Sequence, residues 1–487
     1  MFLAVLVGCS GGGGSSDEPN DSLATATPLG SIGSSTRTGA IVGEDRDYFE
    51  FSAAVDGLLR IALNVAAGAD FDLALFNGPG ARLATTRADN RSPQVGPVET
   101  LFAWVRKDAV YFVEVRGFAG SSGAYRFTIE IDAPTASSST AVDSLAEARS
   151  FHAAVTLPDG RALVAGGTAD PSSQTNAIVS ALDSTELFDP SNGEFTSGPA
   201  LGAPRFAPTA TLLPTGRVLI AGGDLTATAD LFDPATDGVD ASIAMTGGIR
   251  VLATATLLRD GRVLIAGGTT LVFNPLPSAR TLDTTTIFDP KTRTFSSGPR
   301  MRAPRTSHAA TLAPDGRVLL TGGVGRSDSE WIDVAGATSI DGPALTGVRD
   351  DHTATLLGNG RVLLAGGQNG SGRSLDTAEI LDPGVVAFRL IPDRMADPRA
   401  DHQSVLLRDG SVLLLGGEDD PAGGPDVILT SVDRFDPTTE LFAPAPALVV
   451  PRDDHRVAPL LDGRILVTGG EDVTSTSIRD VELYLPD

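Results

Sequence analysis

An arginine recurs in one position of a sequence that is repeated from residue 149 onward in this chain of 487 residues. A ring of such guanidinium groups could bind carboxylates or sulfated sugars, because their fork of donors matches the oxygens of those anions. The alternative is structural, with each arginine paired to an acid or a carbonyl of a neighbouring repeat. Recurrence in every copy favours the structural role. The seven are Arg149, Arg205, Arg250, Arg305, Arg349, Arg399 and Arg452.

All five histidines of the chain lie three residues after one of these arginines. His352, His402 and His455 directly follow an aspartate, which makes them the stronger binding candidates; the others are His152 and His308. A cluster of histidines and aspartates could bind zinc or calcium, or act as acid and base on a sugar. The alternative is that each histidine caps the same buried backbone group of its own repeat, and recurrence in one position favours this alternative.

These residues are positioned by a repeat whose clearest part is PTGRVLIAGG, residues 214–223. Each copy predicts a strand, a tight hairpin that is Asp-Gly in most copies, and an apolar second strand that ends in Gly-Gly. A third strand, often with a Phe-Asp-Pro turn, and a fourth outer strand follow. Four antiparallel strands per repeat predict one blade of a β-propeller. The other six copies begin at residues 158, 259, 314, 358, 408 and 461.

The last copy ends at VELYLPD, which is its third strand, so its outer strand is missing from the C-terminus. The segment STAVDSLAEAR, residues 139–149, has the pattern of an outer strand followed by the recurring arginine. We therefore expect it to complete the last blade and to close a ring of seven blades; six blades are the alternative. The connections between second and third strands vary most, and their face of the ring is the candidate for function.

The repeat resembles the kelch repeat over residues 143–487, and above all that of galactose-oxidase-like proteins. In kelch adaptor proteins the matching arginines help to line a peptide-binding rim. In the copper oxidases a histidine in this position is a metal ligand that follows a ligand tyrosine. Here the preceding residues are Phe151, Ser307 and three aspartates, and the repeat region contains one tyrosine, Tyr484, and no cysteine. The sequence therefore excludes the crosslinked Tyr-Cys radical cofactor and the copper oxidase activity that depends on it.

Residues 18–133 predict a small antiparallel β-sandwich, because short strands such as DYFEFSA and YRFTIEI alternate polar and apolar residues. The segments EPND, GAIVGEDRDYFEF and DFDLALFN, in this order, resemble a bacterial pre-peptidase C-terminal (PPC) domain. The whole chain is therefore expected to be all-β, with this sandwich before a seven-bladed kelch-type propeller at 143–487.

The resemblance to the PPC domain implies a calcium site. Its expected ligands are Glu18, Asn20, Asp21, Glu44 and Asp47. Hard oxygen ligands from a short loop and a hairpin suit Ca²⁺. The alternative is that Asn20 and Asp21 are turn residues and that Asp45 and Asp47 are solvated.

The N-terminus, MFLAVLVGCS, resembles the lipobox of a bacterial lipoprotein. Residues 1–9 end at the only cysteine, Cys9, and a Gly/Ser tether at 10–17 follows. The resemblance implies acylation of Cys9 and a place in the bacterial cell envelope, at the outer membrane or cell surface; secretion is the alternative. The apolar run is shorter than an ordinary signal peptide and lacks a basic residue before it, as a chance apolar N-terminus would. Contact with a membrane is expected only through the lipid anchor.

Residues 134–142 are expected to be a linker and the closing strand.

A net charge of −24 and a pI near 4.5 argue against nucleic acid as a partner, because such a surface repels phosphates. Sequence motifs of serine hydrolases, zinc proteases, P-loop proteins and dinucleotide-binding folds are absent.

We expect a non-catalytic binding protein that uses one propeller face to bind a protein, peptide or glycan. The alternatives are a carbohydrate-active enzyme of the epimerase or isomerase type and a structural spacer. The unvarying arginine and an aromatic content of 5% favour binding over catalysis.

Overall fold

The computed structural model describes residues 26–42, 45–55, 57–65, 71–76, 82–85, 98–105, 108–117, 122–132, 138–172, 174–273, 277–421 and 425–486. The chain divides near Ser137 into two compact units, of which the second comprises Ser138–Pro459 and Ile465–Leu485. Strands dominate both units. In the described part of the chain, no helix has the length and apolar character that a membrane crossing requires.

The first unit contains strands that form two sheets. The strands are β1 Thr27–Ile32, β2 Ser34–Ile41, β3 Arg46–Ala53, β4 Gly57–Val65, β5 Phe71–Phe76, β6 Arg82–Thr85, β7 Val98–Val105, β8 Val110–Gly117 and β9 Gly123–Asp132. One sheet has the order β1-β3-β8-β5-β6, and the other has the order β2-β9-β4-β7. Both contribute to one apolar core, in which Phe49 and Val113 of the first sheet pack with Ile61 and Phe127 of the second. The alternation of the sequence thus buries one face of each sheet.

The second unit repeats one pattern of four short strands. Its first strands are β10 Ser138–Ala141, β11 Ala153–Thr156, β12 Ala162–Ala165, helix α1 Gln174–Val179, β13 Thr185–Asp189, β14 Glu194–Ser197, β15 Thr209–Leu212, β16 Val218–Ala221, β17 Thr228–Asp233, β18 Gly238–Ala244, β19 Thr254–Leu257, β20 Val263–Ala266, β21 Thr269–Phe273, β22 Pro277–Thr281, β23 Thr285–Asp289 and β24 Thr294–Ser297. The rest are β25 Ala309–Leu312, β26 Val318–Thr321, β27 Ser329–Asp333, β28 Thr338–Asp341, β29 Thr353–Leu356, β30 Val362–Ala365, β31 Ala378–Leu381, β32 Arg389–Leu390, β33 Gln403–Leu406, β34 Val412–Leu415, β35 Glu418–Asp419, β36 Val427–Ile428, β37 Val432–Asp436, β38 Leu441–Ala445, β39 Arg456–Pro459, β40 Ile465–Thr468 and β41 Val481–Leu485.

Within residues 138–485, as far as they are described, these strands form seven four-stranded antiparallel sheets. We number them in chain order: sheet 1 is β11-β12-β13-β14, sheet 2 β15-β16-β17-β18, sheet 3 β19-β20-β23-β24, sheet 4 β25-β26-β27-β28, sheet 5 β29-β30-β31-β32, sheet 6 β33-β34-β37-β38 and sheet 7 β39-β40-β41-β10. Sheet 7 takes its outer strand from the other end of the chain, because Ser138–Ala141 pairs antiparallel with β41. The segment that was expected to complete the last repeat therefore supplies its outer strand.

The first strand of each sheet contacts the first strands of the sheets before and after it, and β39 of sheet 7 contacts β11 of sheet 1. The second strands are buried along their whole length because they face a neighbouring sheet on each side. In β16, Val218 and Ile220 pack with sheet 1, whereas Leu219 and Ala221 pack with sheet 3. A run without polar residues is what such two-sided burial requires. Four-stranded antiparallel sheets arranged in this way are those of a β-propeller.

Candidate functional site

The seven recurring arginines lie inside the sheets. Each precedes the first strand of its sheet, and each is at most 2% exposed. In every sheet Nη1 donates a hydrogen bond of 2.5 to 3.0 Å to the carbonyl of the first glycine of the Gly-Gly pair, seventeen residues later. This bond ties the segment that begins a sheet to the end of its second strand.

Six of the seven guanidinium groups also pair with a buried carboxylate of the third strand, at 2.7 to 2.9 Å. These acids are Glu186, Asp230, Glu330, Glu379, Asp433 and Glu482. In most of these acids the other carboxylate oxygen accepts a hydrogen bond from the backbone N–H of the residue three positions before the arginine. Glu330, for example, accepts a hydrogen bond of 2.7 Å from the N–H of Arg302. The expectation that the arginines line a binding rim is therefore corrected. Their burial and their partners assign them to structural ties within each sheet.

Sheet 3 is the exception, because Thr286 stands where the other sheets have the acid. Thr286 contacts the hydroxyl of Thr246 at 2.8 Å and donates to the carbonyl of Ser296 at 3.0 Å. Arg250 keeps its bond to Gly267 and also donates to the carbonyl and hydroxyl of Thr284, but among the described residues no carboxylate pairs with it. Burial lowers the pKa of Arg250 to about 10. A buried cation without its own carboxylate destabilises a fold.

The histidines are also buried, with exposures of 0 to 7%. In four of them Nε2 lies 2.8 to 3.1 Å from a threonine hydroxyl of the preceding sheet. The imidazole ring also packs against the first glycine of the preceding sheet's Gly-Gly pair. A Cβ at Gly416, which has φ of 58°, would lie 2.6 Å from the Arg452 carbonyl and 3.1 Å from Cε1 of His455. Only glycine fits such a contact.

This packing corrects the expectation that His352, His402 and His455 bind a ligand. Each lies beneath the surface between two sheets, and burial lowers the pKa of each well below its usual value. For His308, burial together with Arg305 lowers the pKa to about 3. The rings are therefore neutral at physiological pH. Four of them contact a threonine hydroxyl of the preceding sheet and not a backbone group of their own repeat, so the structural alternative drawn from their recurrence was right about burial and wrong about the partner. Neither ring nitrogen of His455 has a hydrogen-bond partner among the described residues.

Between each arginine and the histidine position, one residue adopts an unusual backbone conformation. In all seven repeats the residue two after the arginine has φ between 44° and 53°. Such a left-handed conformation is rare and costs free energy in residues other than glycine. We call these residues the mouth ring: Phe151, Ala207, Leu252, Ser307, Asp351, Asp401 and Asp454.

Backbone hydrogen bonds connect neighbours in the mouth ring. The N–H of Asp351 donates to the carbonyl of Ser307 at 3.0 Å, and the N–H of Asp401 donates to that of Asp351 at 3.2 Å. The N–H of Phe151 in sheet 1 donates to the carbonyl of Asp454 in sheet 7 at 3.1 Å, across the two ends of the repeat. The first strands of the sheets contact each other around the ring, and each begins just after a mouth ring residue. The mouth ring therefore lies at the inner edge of the sheets. It is at the same end of the sheets as the connections between second and third strands.

One side of the mouth ring is acidic. Seven carboxylates of sheets 5, 6 and 7 occupy three equivalent positions: one residue after the arginine, two residues after it, and directly after Gly-Gly. We call them the acidic arc: Asp350, Asp351, Asp401, Glu418, Asp453, Asp454 and Glu471. Backbone bridges join Ala400 to Glu418 and Asp453 to Glu471, which brings the first and third positions together.

The carboxylates of the acidic arc disfavour each other's ionisation. Burial and the charge of Asp350 raise the pKa of Asp351 to about 6. Burial and nearby acids raise the pKa of Glu418 to about 7 and that of Asp453 to about 8. Burial and the charges of Asp351 and Asp454 raise the pKa of Asp401 well above its usual value. Perturbed carboxyl groups that converge in this way are typical of functional sites.

Two oxygens of the acidic arc have no partner. Asp350 is 9% exposed and Asp453 is 6% exposed, and Oδ1 of each lacks a hydrogen-bond partner within the described residues. Asp350 interacts with Asp351, and Asp453 interacts with Asp401 and Asp454, so both face the acidic arc. Buried polar atoms are usually hydrogen-bonded, so these two oxygens, which lie beside the other carboxylates of the acidic arc, are candidate contacts for a ligand.

The other side of the mouth ring is apolar. Phe151, Ala207 and Leu252, which we call the apolar arc, belong to one hydrophobic cluster with Phe206 and Val251. Helix α1, from the long connection of sheet 1, adds Ala177 and Ile178 to this cluster. The rings of Phe151 and Phe206 lie 5.0 Å apart. One ring of equivalent positions thus combines an anionic side with a hydrophobic side.

Comparisons with known proteins place the fold. The structure is similar to that of a fungal alcohol oxidase of the AA5 family in complex with copper, with a TM-score of 0.57 and 18% identity over 71% of this chain and 76% of the other. It is also similar to the structure of YjhT, with a TM-score of 0.48 and 12% identity over 71% of this chain and 97% of the other. The likeness to the alcohol oxidase shows a shared fold, and the repeated four-stranded sheets are those of a β-propeller. No protein family profile and no curated protein matches the sequence.

The residues of this chain do not fit the copper ion that this fold carries in the fungal oxidase. The histidines are directed between the sheets, where four of them meet threonine hydroxyls. Tyr484 is fully buried in β41, away from the mouth ring positions. Among the described residues, no group of three or more His, Cys, Asp and Glu side chains is arranged to hold a metal ion.

Most of the residues expected to bind calcium or a lipid lie outside the described part of the chain; they are Cys9, Glu18, Asn20, Asp21 and Glu44. Asp47 is described and lies in β3, where it is 5% exposed. Its Oδ2 accepts a hydrogen bond from the hydroxyl of Tyr125. The calcium site therefore stays a prediction.

The acidic arc was not predicted as a site, although its signal was present in the sequence. The arginine is the same in every repeat, but the two positions after it change from apolar in sheets 2 and 3 to mostly acidic in sheets 5 to 7. The position after Gly-Gly is acidic in sheet 2 as well, as Asp224, so it shows no such division. Comparison of the repeats position by position would have found this change. The histidines beside these positions drew attention because of their chemistry, yet they are buried.

Proposed function

We propose that residues 138–487 form a seven-bladed kelch propeller that binds a basic segment of a peptide or protein at the mouth ring. The observation that carries the proposal is the acidic arc, with two oxygens that have no hydrogen-bond partner in the described part of the chain. A cationic side chain would neutralise carboxylates that now repel each other, and anionic ligands would be repelled. In this function the propeller is a non-catalytic binding module.

Exposed apolar side chains on the same face support a peptide or protein ligand. Five of them lie in the connections between second and third strands and are 49 to 79% exposed: Val179, Leu225, Val324, Val427 and Val473. Apolar groups around a polar centre are common where proteins meet partners. Connections of differing length, including α1 in sheet 1 and the hairpin β21-β22 in sheet 3, supply the rest of this face.

Fluorescence anisotropy with the full chain tests the proposal. The probes are a labelled lysine-rich peptide, a glutamate-rich peptide of the same length and a neutral oligosaccharide, at low ionic strength and pH 8. We expect the lysine-rich peptide alone to bind, and its affinity to fall at least tenfold when Asp351, Asp401 and Asp454 are all replaced by Asn. Selective binding of the oligosaccharide would instead identify a glycan-binding module and overturn the proposal.

A matched control separates the acidic arc from the overall negative charge. Asp159, Asp260 and Asp315 lie in the turns between first and second strands, at the far end of the sheets, and their side chains are 38 to 50% exposed. Replacement of these three by Asn changes the net charge equally. The control variant should bind the lysine-rich peptide as the unmodified protein does; an equal loss in both variants would show that binding depends on net charge only.

A carbohydrate-active enzyme is the second candidate, and one observation favours it. The pKa values of Asp351 and Glu418, raised by burial to about 6 and about 7, suit groups that exchange protons near neutral pH. A screen of mutarotation and epimerisation of free sugars, followed by NMR, would detect such activity. Its loss in Asp351→Asn together with Glu418→Gln, with the fold retained, would support the enzyme.

We also propose that residues 18–133 are a PPC-like β-sandwich, in line with the shared core of the two sheets of the first unit. The proposed place of the protein is the bacterial cell envelope, held by a lipid on Cys9, or secretion. Mass spectrometry of the N-terminal peptide from cells of the source bacterium tests the anchor: an unmodified Cys9 would contradict it.

A further inference from the structure

We infer that the mouth ring selects ligands in which a cationic group lies next to a hydrophobic group, such as an arylalkylammonium group or a lysine beside an aromatic residue. This inference rests on the proposed function and specifies which basic ligands the site prefers. It combines the acidic arc with the apolar arc, which the preceding proposal does not use.

Equivalent backbone positions place the two sides opposite each other. Ser307, Asp351, Asp401 and Asp454 follow one another through sheets 4 to 7, and the apolar arc follows through sheets 1 to 3. All seven share one backbone conformation, with φ of 44° to 53°, so their side chains leave the ring from equivalent points. A ligand that enters the ring therefore meets carboxylates on one side and hydrocarbon on the other.

The acidic arc provides the contact for the cation. Oδ1 of Asp350 and of Asp453 are buried oxygens that lack partners in the described residues, and an ammonium or guanidinium group could donate to them. Arg456 is the basic residue that interacts with both Asp401 and Asp454, and it is itself buried. At pH 8 the carboxylates of Asp351 and Glu418, whose pKa values are about 6 and about 7, are ionised and exceed the charge of this one arginine, so the acidic arc is negative toward a ligand.

The apolar arc provides a surface that a fully polar cation would not use. Phe151 and Leu252 are partly buried, and the ring of Phe206 and the side chain of Ala177 support them from behind. Left-handed backbone is unfavourable for residues such as Phe and Leu, whereas Asp and Asn tolerate it well. Phe151 and Leu252 therefore place hydrocarbon at the positions where sheets 5 to 7 have carboxylates.

Three probes separate the two contributions in isothermal titration calorimetry with the full chain at pH 8: phenethylammonium, ethylammonium and 2-phenylethanol. The first carries both groups, the second only the cation and the third only the hydrophobic ring. We expect phenethylammonium to bind at least tenfold more tightly than either of the others. Equal affinity for phenethylammonium and ethylammonium would overturn the inference.

Two variants assign each contribution to its side. Leu252→Asn suits the left-handed backbone and removes hydrocarbon without adding charge, so it should reduce the affinity for phenethylammonium to near that for ethylammonium. Asp401→Asn should weaken both ammonium probes by a similar factor. Circular dichroism and melting temperature establish that each variant is folded. If a variant does not fold, the affinities of the three probes for the unmodified protein still test whether the site prefers a cation next to a hydrophobic group.

The outcomes distinguish this inference from the proposed function. If the lysine-rich peptide binds through the acidic arc but the two ammonium probes bind equally, the two-sided selection is wrong and the proposed function stands. If neither the peptide nor any ammonium probe binds, both are wrong. If 2-phenylethanol binds as tightly as phenethylammonium, the site is hydrophobic and the cation contact is wrong.

Discussion

Thr286→Asp should stabilise the protein, because it supplies the carboxylate that the structural tie of sheet 3 lacks. Sheets 2 and 6 already have Asp at this position, as Asp230 and Asp433, and each pairs with its arginine at 2.7 Å. The shorter acid therefore reaches the guanidinium from this strand position. Asp and Thr are similar in size, so the substitution needs no additional space in the core.

The size of the effect follows from the hydrogen bonds that the substitution forms and those that it breaks. A hydrogen bond to a charged group stabilises a fold by about 1.5–3 kcal/mol, and the two bonds of the Thr286 hydroxyl together contribute about 1–2 kcal/mol. The carboxylate must also lose its hydration, but Arg250 is already buried as a cation, so its own desolvation is present before the substitution. The backbone N–H of Gly247 lies three residues before Arg250, at the position that other acids bond with their second oxygen. We expect a net stabilisation of about 1 kcal/mol.

Differential scanning calorimetry of the full chain measures this stabilisation, with Thr286→Asn as the neutral control of the same shape. At pH 7 the Asp variant should melt about 1–3 °C above the Asn variant. An acid beside a buried arginine has its pKa lowered, so its contribution is present above the unfolded pKa of about 4 and is lost as the pH falls through the folded value. The advantage should therefore disappear below about pH 3. An Asp variant that melts at or below the Asn variant at pH 7 would refute the assignment of the tie.

Three further predictions concern pH, ring closure and calcium. The folded pKa values of about 6 for Asp351 and about 8 for Asp453 exceed the unfolded ones, so the melting temperature should rise as the pH falls from 9 to about 6.5. Below that pH, the buried histidines, His308 among them, are protonated in the unfolded chain only, so they should oppose the rise and make it less steep. A melting temperature that rises steadily from pH 6.5 to 9 would contradict this prediction. Deletion of residues 136–148 removes β10 and its pairing with β41, so calorimetry should show the propeller transition at a lower temperature; an unchanged transition would mean that this strand does not close the ring. Calcium should raise the melting temperature of the first unit relative to EDTA, and identical thermal scans would contradict the predicted ligands.

The elements of the repeat could be predicted from sequence because each depends on residues close together in the chain. Asp-Gly turns, apolar second strands and Gly-Gly ends are local patterns, and β15, β16 and β17 follow them. The pairing of residues 138–141 with β41 was also predictable, since residues 139–149 have the pattern of an outer strand followed by the recurring arginine. The arginine recurs because its tie spans a constant seventeen residues within one sheet.

The candidate site could not be predicted in the same way, because its members come from sheets that are far apart in the chain. Asp351 and Asp454 repel each other only after the ring has brought sheets 5 and 7 near a common centre. Burial also reversed the ranking of residues: the chemically versatile histidines lie between sheets, whereas ordinary aspartates beside them face the centre.

The sequence by itself determined the all-β repeat, its hairpins and the strand that joins the two ends, because backbone geometry and hydrophobic periodicity act over short distances. Only the tertiary structure decided which polar groups are buried and which meet at the mouth ring. Solvation and Coulomb interactions depend on distance in space, and the closed ring of sheets is what brings residues of the acidic and apolar arcs together.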